Sequence, residues 1–192
     1  MREKLAVPAR PQESQECAVC HCFTQEGYTL RDRQTVRFVC AECYENVRAE
    51  YPPADRIVCL DGAELKRTLF SDGRPGFRTG YLMGKKESTE SGYCITVSSL
   101  LESTSSGGGA ARFFNKEDVL KIHKHSRETG DAVVGIFRTS PSGIPEFNSL
   151  DEKILDDMLV DAVYLIAGGA SELQTAAEDR QNRNGEIGVV LL

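Results

Sequence analysis

Residues 131–151 read DAVVGIFRTSPSGIPEFNSLD, and this stretch decides the fold because it joins a buried strand to a shaped loop and a helix. The apolar, β-branched run at 132–137 predicts a central strand with both faces covered. Two prolines and a glycine within 138–145 exclude regular structure and predict a loop at the strand's C-terminal end, where sites are commonly built. The sequence NSLDE at 148–152 predicts the start of a helix, with its first or second residue as the N-cap and its fourth or fifth as the capping-box partner.

The rest of the C-terminal part alternates between strand and helix patterns. Strands are predicted at 77–84, 93–100, 110–114, 161–167, 171–177 and 185–192, and helices at 116–128 and after 148. Asn115 is the predicted N-cap of the helix at 116–128. A short strand candidate at 56–60 precedes all of these elements. The first two strands and the last two are predicted to form hairpins. Strands and helices mixed in this order predict an α+β fold with helices packed against a mixed sheet.

The same strand, loop and helix start resemble the signature of the JAMM/MPN metallopeptidase family, whose pattern is H-[ST]-H-P, six residues, S, two residues, D. Pro141 and its spacing to Asn148 and Asp151 keep the register of that pattern. Residues 79–85, TGYLMGK, resemble the family's first strand, so the resemblance covers about residues 70–192. It implies an MPN-like mixed sheet flanked by helices.

The residues that the family uses for chemistry are replaced in this chain. Arg138 and Ser140 occupy the positions of the two metal-binding histidines, Asn148 replaces the serine, and only Asp151 of the motif is retained. An ungapped alignment places Phe77, which we expect to pack in the core, at the position of the catalytic glutamate. An arginine repels a dication, a serine is a poor zinc ligand at neutral pH, and a bound water needs a base as well as an ion. The resemblance therefore implies a retained scaffold without a catalytic site.

Three functions remain open at this point. The first is a non-catalytic protein-binding or scaffolding module, a pseudo-metalloprotease whose partner is another MPN-domain subunit or a ubiquitin-like protein. The second is a zinc-dependent JAMM-type isopeptidase or peptidase that recruits a ligand from elsewhere, with His21, His123 and His125 as candidates. In the third, the former cleft binds an anion through Arg138. We favour the pairing of Arg138 with Asp151 over anion binding.

Two C-x-x-C motifs form the second strong signal. The four predicted metal ligands are Cys17, Cys20, Cys40 and Cys43. Two such knuckles about twenty residues apart match a structural zinc site in a zinc-ribbon-like module, with about one zinc ion per chain. A disulfide or thioredoxin-like redox pair is disfavoured because neither a secretion signal nor a βαβ setting accompanies the motifs. His21 or Cys22 could replace one ligand, whereas Cys59 and Cys94 stand alone in apolar stretches and are predicted as buried thiols.

Length and composition set the remaining expectations. The chain has 192 residues, is 40% hydrophobic and 27% charged, and carries a net charge of -6, which argues against a general nucleic-acid binder. No apolar run has the length of a membrane span, and the N-terminus lacks the apolar core of a signal peptide, so we expect a cytoplasmic protein. The predicted division is a flexible tail at 1–16, the zinc-ribbon-like module at 17–50, a linker at 51–72 and the MPN-like domain at 73–192.

Overall fold

The computed structural model describes residues 4–9, 11, 13–32, 35–70, 77–89, 92–104, 113–140, 142–158, 162–168, 173–181, 183 and 187–192. Its strands are β1 (Leu5–Ala9), β2 (Gln15–Glu16), β3 (Phe23–Thr24), β4 (Gly27–Arg31), β5 (Val36–Cys40), β6 (Arg56–Leu60), β7 (Thr79–Ser88), β8 (Tyr93–Glu102), β9 (Ala132–Thr139), β10 (Val163–Gly168), β11 (Gln174–Glu178) and β12 (Ile187–Leu191). Its helices are α1 (Ala41–Val47), α2 (Gly62–Phe70), α3 (Lys116–Thr129) and α4 (Ser149–Asp157). No helix in these ranges is long and apolar enough to span a membrane.

A seven-stranded mixed sheet in the order β11-β10-β9-β7-β8-β6-β12 forms the main body of the fold. The hairpin of β7 and β8 is antiparallel, as predicted, and β7 is also antiparallel to β9. The pairs β9–β10, β6–β8 and β6–β12 are parallel. Helices and a mixed sheet in one chain confirm the predicted α+β class.

The predicted buried strand is β9, and it is covered on both faces. Ile136 and Phe137 are fully buried neighbours whose side chains lie in two different core clusters. The cluster around Phe137 contains Leu65 and Leu69 of α2, whereas the cluster around Ile136 contains residues of α4. Because successive strand residues point to opposite faces, the continuous apolar run supplies both clusters, at about 1.5–3 kcal/mol for each fully buried large side chain.

The segment predicted as a linker, 51–72, is part of the large sheet instead. It contains β6, which lies between β8 and β12, and α2, which packs on the sheet. The apolar residues of β6 explain the difference, because Val58 and Leu60 join the core rather than the solvent. The boundary predicted at residue 73 lies outside the described residues.

The predicted hairpin at the C-terminus is wrong. Strand β11 pairs with β10, and β12 pairs in parallel with β6 at the other end of the strand order. Ile187 and Val189 of β12 are buried in the same cluster as Val58, so pairing with β6 completes that core. Of the strand predicted at 110–114, residues 110–112 lie outside the described ranges, and the two residues that follow form a bend.

A second, three-stranded sheet in the order β1-β4-β5 forms, together with α1, the N-terminal module. Residues 5–9 were expected in a flexible tail, and this expectation is wrong because they pair with β4 and bury Ala6 and Val7. The module packs on the large sheet at β12. Arg31 Nη2 donates to the carbonyl oxygen of Val189 at 2.9 Å, and a Cβ on Gly188 would lie 2.7 Å from Val7. A glycine at 188 permits this close approach.

Helix α3 is attached to the sheet through a buried carboxylate. Asp118 accepts hydrogen bonds from the hydroxyls of Tyr81 at 2.8 Å and Ser103 at 2.6 Å, and from the backbone N–H of Thr104 at 2.9 Å. The predicted N-cap is confirmed, since Asn115 accepts from the Asp118 N–H and its side-chain amide donates back to the carboxylate. Burial raises the pKa of Asp118, but hydrogen bonds from Ser103, Thr104 and Tyr81 outweigh it and hold that pKa below its usual range.

This network predicts an acid-sensitive contribution to stability. Because the folded pKa of Asp118 lies below the unfolded value of about 3.9, the contribution is present above that value and is lost as the pH falls through the folded pKa. We expect Asp118→Ala to lower the free energy of unfolding by about 3 kcal/mol at pH 7 and to have a flatter pH dependence below pH 4. Urea unfolding between pH 2.5 and 7 measures both quantities.

The matched control is Asp157→Ala, which removes an exposed carboxylate at the end of α4. It should change stability by less than about 0.5 kcal/mol. If the free energy of unfolding changed with pH in the same way for the wild type and Asp118→Ala, the prediction would be wrong, because the pKa of Asp118 would then be the same in the folded and unfolded states.

Candidate functional site

The structure brings the four cysteines of the two C-x-x-C motifs together. The sulfurs of Cys17, Cys20, Cys40 and Cys43 all lie within 4.8 Å of one another, and Cys20 Sγ is 3.7 Å from Cys40 Sγ. In a tetrahedral thiolate site with metal–sulfur bonds of about 2.3 Å, the sulfurs are roughly 3.8 Å apart. The cluster therefore fits the geometry of a bound metal ion.

Backbone N–H groups favour the thiolate form that a metal ion needs. Cys17 Sγ accepts from the N–H of Val19 at 3.4 Å and of Cys40 at 3.3 Å, and Cys40 Sγ accepts from the N–H of Cys43 at 3.4 Å. Burial raises the pKa of Cys17, but backbone hydrogen bonds from Cys20, Cys40 and Val19 outweigh it and lower this pKa to about 6. The sulfurs of Cys20 and Cys40 raise the pKa of Cys43, since crowded thiols ionise together only around a cation.

The two residues weighed as substitute ligands lie beside the cluster but outside it. His21 directs its Nδ1 at Glu16 Oε1, 2.7 Å away, and its side chain is 74% exposed. Cys22 is exposed, with its sulfur 3.2 Å from that of Cys20. The two other cysteines, predicted as buried thiols, are partly exposed on β6 and β8.

The second site lies where β9 delivers its loop. Arg138 Nε donates to Asp151 Oδ1 at 2.7 Å, and Arg138 Nη2 donates to Asp151 Oδ2 at 2.6 Å. The side chains are only 7% and 2% exposed, so this is a buried, two-pronged ion pair. The pairing that the sequence favoured for these two residues is present.

The carboxylate of Asp151 has no acceptor position left. Its Oδ1 also accepts from the hydroxyl of Tyr164 at 2.9 Å, and its Oδ2 also accepts from the N–H of Asn148 at 3.0 Å. Asn148 is the N-cap of α4, and the capping box with Asp151 is complete, as NSLDE predicts. Burial and the charge of Asp151 raise the pKa of Tyr164, which therefore acts as a neutral donor.

The loop after β9 is held against the end of β10. The N–H of Ser140 donates to the carbonyl oxygen of Ala167 at 2.8 Å. Gly143 has a φ of 81°, in the left-handed region, and a Cβ on Gly168 would lie 2.3 Å from the Gly143 oxygen. Glycines at these two positions therefore allow the loop to lie close to the sheet. Pro141, on which the resemblance to the JAMM/MPN pattern partly rests, lies outside the described residues.

A pocket of about 510 Å³ opens above the ion pair. Its apolar lining consists of Phe77, Phe113, Ile144, Phe147, Leu150 and Ile154. Its polar lining consists of Thr79, Arg138, Ser140, Ser142, Asp151 and Tyr164, with Glu146 and Asn148 also present. All five cleft positions singled out from the sequence contribute to this lining.

The position of Phe77 differs from the one expected from the sequence. We expected it in the core, but it is 48% exposed at the pocket because it precedes β7 instead of forming part of it. Tyr164 and Phe113 were missed by sequence reasoning. The signal available for Tyr164 is a hydroxyl inside an otherwise apolar buried strand, which requires a polar partner.

No second group of three or more His, Cys, Asp or Glu residues close enough to share a metal ion occurs in the part of the chain that the structure describes. His125 lies on α3, where its Nε2 is 2.9 Å from Ser99 Oγ and 3.9 Å from Asp131 Oδ2. Neither His123 nor His125 lines the pocket. The described residues thus supply one metal-binding cluster, and it is the cysteine cluster.

No family model and no curated protein matches the sequence. Among solved structures, the solution structure of a protein from Desulfitobacterium hafniense is similar, with a TM-score of 0.52 and 15% sequence identity. The match covers 70% of this chain and 92% of that protein. At this identity the similarity concerns the fold alone.

The buried ion pair predicts a large difference between two arginine substitutions. Arg138→Ala leaves a buried carboxylate without its cation and should lower the free energy of unfolding by about 3–5 kcal/mol. Arg183→Ala breaks a partly exposed ion pair with Asp156 and should cost less than about 1 kcal/mol. Chemical denaturation of the two variants measures the contrast, and equal effects would contradict the description of the Arg138 pair as buried and structural.

Proposed function

We propose that this chain is a non-catalytic binding protein with an MPN-like scaffold, a pseudoenzyme in which the Arg138–Asp151 pair occupies the place of a JAMM-type metal ion. The observation that carries the proposal is the bidentate, buried geometry of that pair. A guanidinium supplies the positive charge that the carboxylate would otherwise find in a metal ion. In this proposal the pair holds the loop and helix in shape and does not activate water.

The composition of the pocket argues against hydrolysis. A hydrolytic zinc ion needs about three protein ligands and an open position for water, and those ligands are imidazoles, thiolates or carboxylates. Two carboxylates line the pocket. Both oxygens of Asp151 already accept two hydrogen bonds each, and Glu146 is exposed to solvent. Phe77 offers no base at the position where the family has one.

We assign the ion of the cysteine cluster as zinc, with a structural role. Four thiolates in tetrahedral spacing suit zinc, which needs no open coordination position for this purpose. The buried cluster of the N-terminal module consists of Ala6, Cys17, Leu30, Val39, Cys40, Cys43, Tyr44 and Tyr51, and three of these are ligands. A core of this size gains much of its stability from metal binding.

The partner under this proposal is a protein, either another MPN-domain subunit or a ubiquitin-like protein, in the cytoplasm. Exposed apolar side chains on the N-terminal module support protein contact, namely Val19, Phe23 and Val36. The net charge of -6 is consistent with the expectation that nucleic acid is not the ligand.

Metal analysis tests the assignment of the cysteine cluster. The purified protein should contain about one zinc ion per chain, and Cys17→Ser or Cys43→Ser should abolish binding, because each removes a ligand from a four-ligand site. Cys59→Ser and Cys94→Ser are matched controls that should retain the ion. Two ions per chain, one of which survives the Cys17 and Cys43 substitutions, would contradict the pseudoenzyme proposal.

Restoring the family ligands tests the cleft. The double variant Arg138→His and Ser140→His, beside Asp151, should gain a second, chelatable zinc ion because it has three ligands in the family's spacing. It should not hydrolyse a ubiquitin-like conjugate, since the base is still missing. Phe77→Glu added to the pair would supply a carboxylate at a half-exposed position that tolerates it.

The readouts are zinc content, a circular dichroism melt for each variant and cleavage of a ubiquitin-like conjugate with and without chelator. Chelator-sensitive cleavage by the wild type would overturn the proposal. A folded double variant that binds no second zinc would show that the loop no longer has the family's geometry.

A further inference from the structure

The apolar surface of the pocket continues onto the exterior of the protein. Phe77, Ile144 and Leu150 line the pocket, yet they are 48%, 53% and 49% exposed. A volume of about 510 Å³ lies within the range of about 300–1,000 Å³ that is typical of ligand sites. Because the apolar rim extends beyond the cavity, an occupant that fills the pocket and also covers its mouth buries more apolar area than one enclosed by it. A side chain presented by a protein partner has this shape.

The buried arginine has one hydrogen-bond donor to spare. A guanidinium has five N–H groups, and Arg138 uses four: two to the carboxylate of Asp151, one to the carbonyl oxygen of Glu146 at 2.9 Å and one to that of Thr139 at 3.3 Å. The remaining N–H, on Nη1, makes no hydrogen bond of 3.5 Å or less to a described residue, and the hydroxyl of Tyr164 also interacts with the guanidinium. Arg138 lines the pocket while its side chain is 93% buried, since it is 7% exposed.

A second donor comes from two serine hydroxyls. Ser140 Oγ and Ser142 Oγ are 2.9 Å apart, and both residues line the pocket. One hydroxyl donates to the other, so one hydroxyl hydrogen remains available to a ligand. The acceptor positions of Asp151 are already filled, and the polar base therefore offers donors. The complementary group on a ligand is a hydrogen-bond acceptor.

The charge of the residues that line the pocket indicates which kind of hydrogen-bond acceptor a ligand should carry. Arg138 contributes +1, whereas Asp151 and Glu146 each contribute -1, so the charged lining residues sum to -1. A ligand carboxylate would meet this excess negative charge, and a ligand ammonium group would bring donors to a base that already offers donors. A neutral carbonyl oxygen meets neither obstacle.

We infer that this pocket binds a large apolar side chain of a protein partner, and that a main-chain carbonyl of the same partner segment accepts a hydrogen bond from the Ser140–Ser142 pair, of which Ser142 is exposed. The inference rests on the proposed non-catalytic binding function and specifies the chemistry of the partner at the site. The apolar rim contacts the residues of the partner that flank the inserted side chain.

Titration of the full-length, ¹⁵N-labelled protein with capped single residues tests this chemistry. N-acetyl-L-phenylalaninamide combines the apolar side chain with neutral carbonyls, and it should cause saturable shifts confined to the backbone amides of the pocket residues. N-acetylglycinamide lacks the side chain and should cause none. N-acetyl-L-phenylalanine carries a carboxylate and should bind more weakly, and N-acetyl-L-lysinamide should cause no saturable shift.

Two variants locate the binding. Leu150→Glu places a charge on the half-exposed rim at the first turn of α4, where an acidic residue is compatible with the helix dipole, and it should abolish the shifts. Leu120→Glu is the matched control, because Leu120 is 63% exposed on α3 and does not line the pocket. Ser140→Ala removes one hydroxyl of the pair and should weaken the binding of the phenylalanine amide.

The outcomes separate this inference from the proposed function. Equal shifts with the glycine and phenylalanine amides, no saturable shift with either, or binding that is unaffected by Leu150→Glu would overturn the inference. If one of these outcomes is found in a protein that contains one zinc ion and cleaves no conjugate, only the inference about the pocket is wrong and the proposed function is unaffected. Conversely, saturable binding of the phenylalanine amide in a protein with a second, catalytic metal ion would overturn only the proposed function.

Discussion

The buried ion pair between Arg138 and Asp151 joins the elements that form the pocket. Its arginine is the last residue but one of β9, its carboxylate lies in the first turn of α4, and Tyr164 of β10 donates to the same carboxylate. The guanidinium also binds the carbonyl oxygen of Glu146 in the intervening loop. One charge pair thus links two strands, a loop and a helix, and because both charges are desolvated, each depends on the other being present.

This arrangement gives the loop a defined shape, because the ion pair joins the strand before the loop to the helix after it. The dication of a hydrolytic site would be repelled by the guanidinium, and Asp151 is already fully hydrogen-bonded. What remains is a pocket with apolar walls and donors at its base. Such a surface suits recognition, since recognition needs shape and hydrogen-bond complementarity but no activated water.

The cysteine cluster performs a comparable role in the N-terminal module. Its sulfurs come from the turn region between β2 and β3 and from the junction of β5 and α1, and a bound ion would connect these two segments. The module then contacts the large sheet through β1, which lies against β12, and through Arg31. The cysteine cluster thus joins segments of the N-terminal module, and the ion pair joins elements around the large sheet.

Short-range patterns in the sequence determined the features whose causes are local. The apolar run of β9, the N-cap at Asn115, the capping box at Asn148 and the two C-x-x-C knuckles were predicted from neighbouring residues, because hydrogen bonds and side-chain periodicity act over a few positions. The pairing of Arg138 with Asp151 was predicted from the resemblance of this stretch to the JAMM/MPN pattern. Only the tertiary structure decided that Leu5–Ala9 is a strand, that the strand Arg56–Leu60 belongs to the large sheet, that Ile187–Leu191 pairs with β6 instead of β11, and that Phe77 faces the pocket. These features depend on contacts between residues far apart in the chain, and strand partners compete for the same apolar surface, so local patterns do not choose among them.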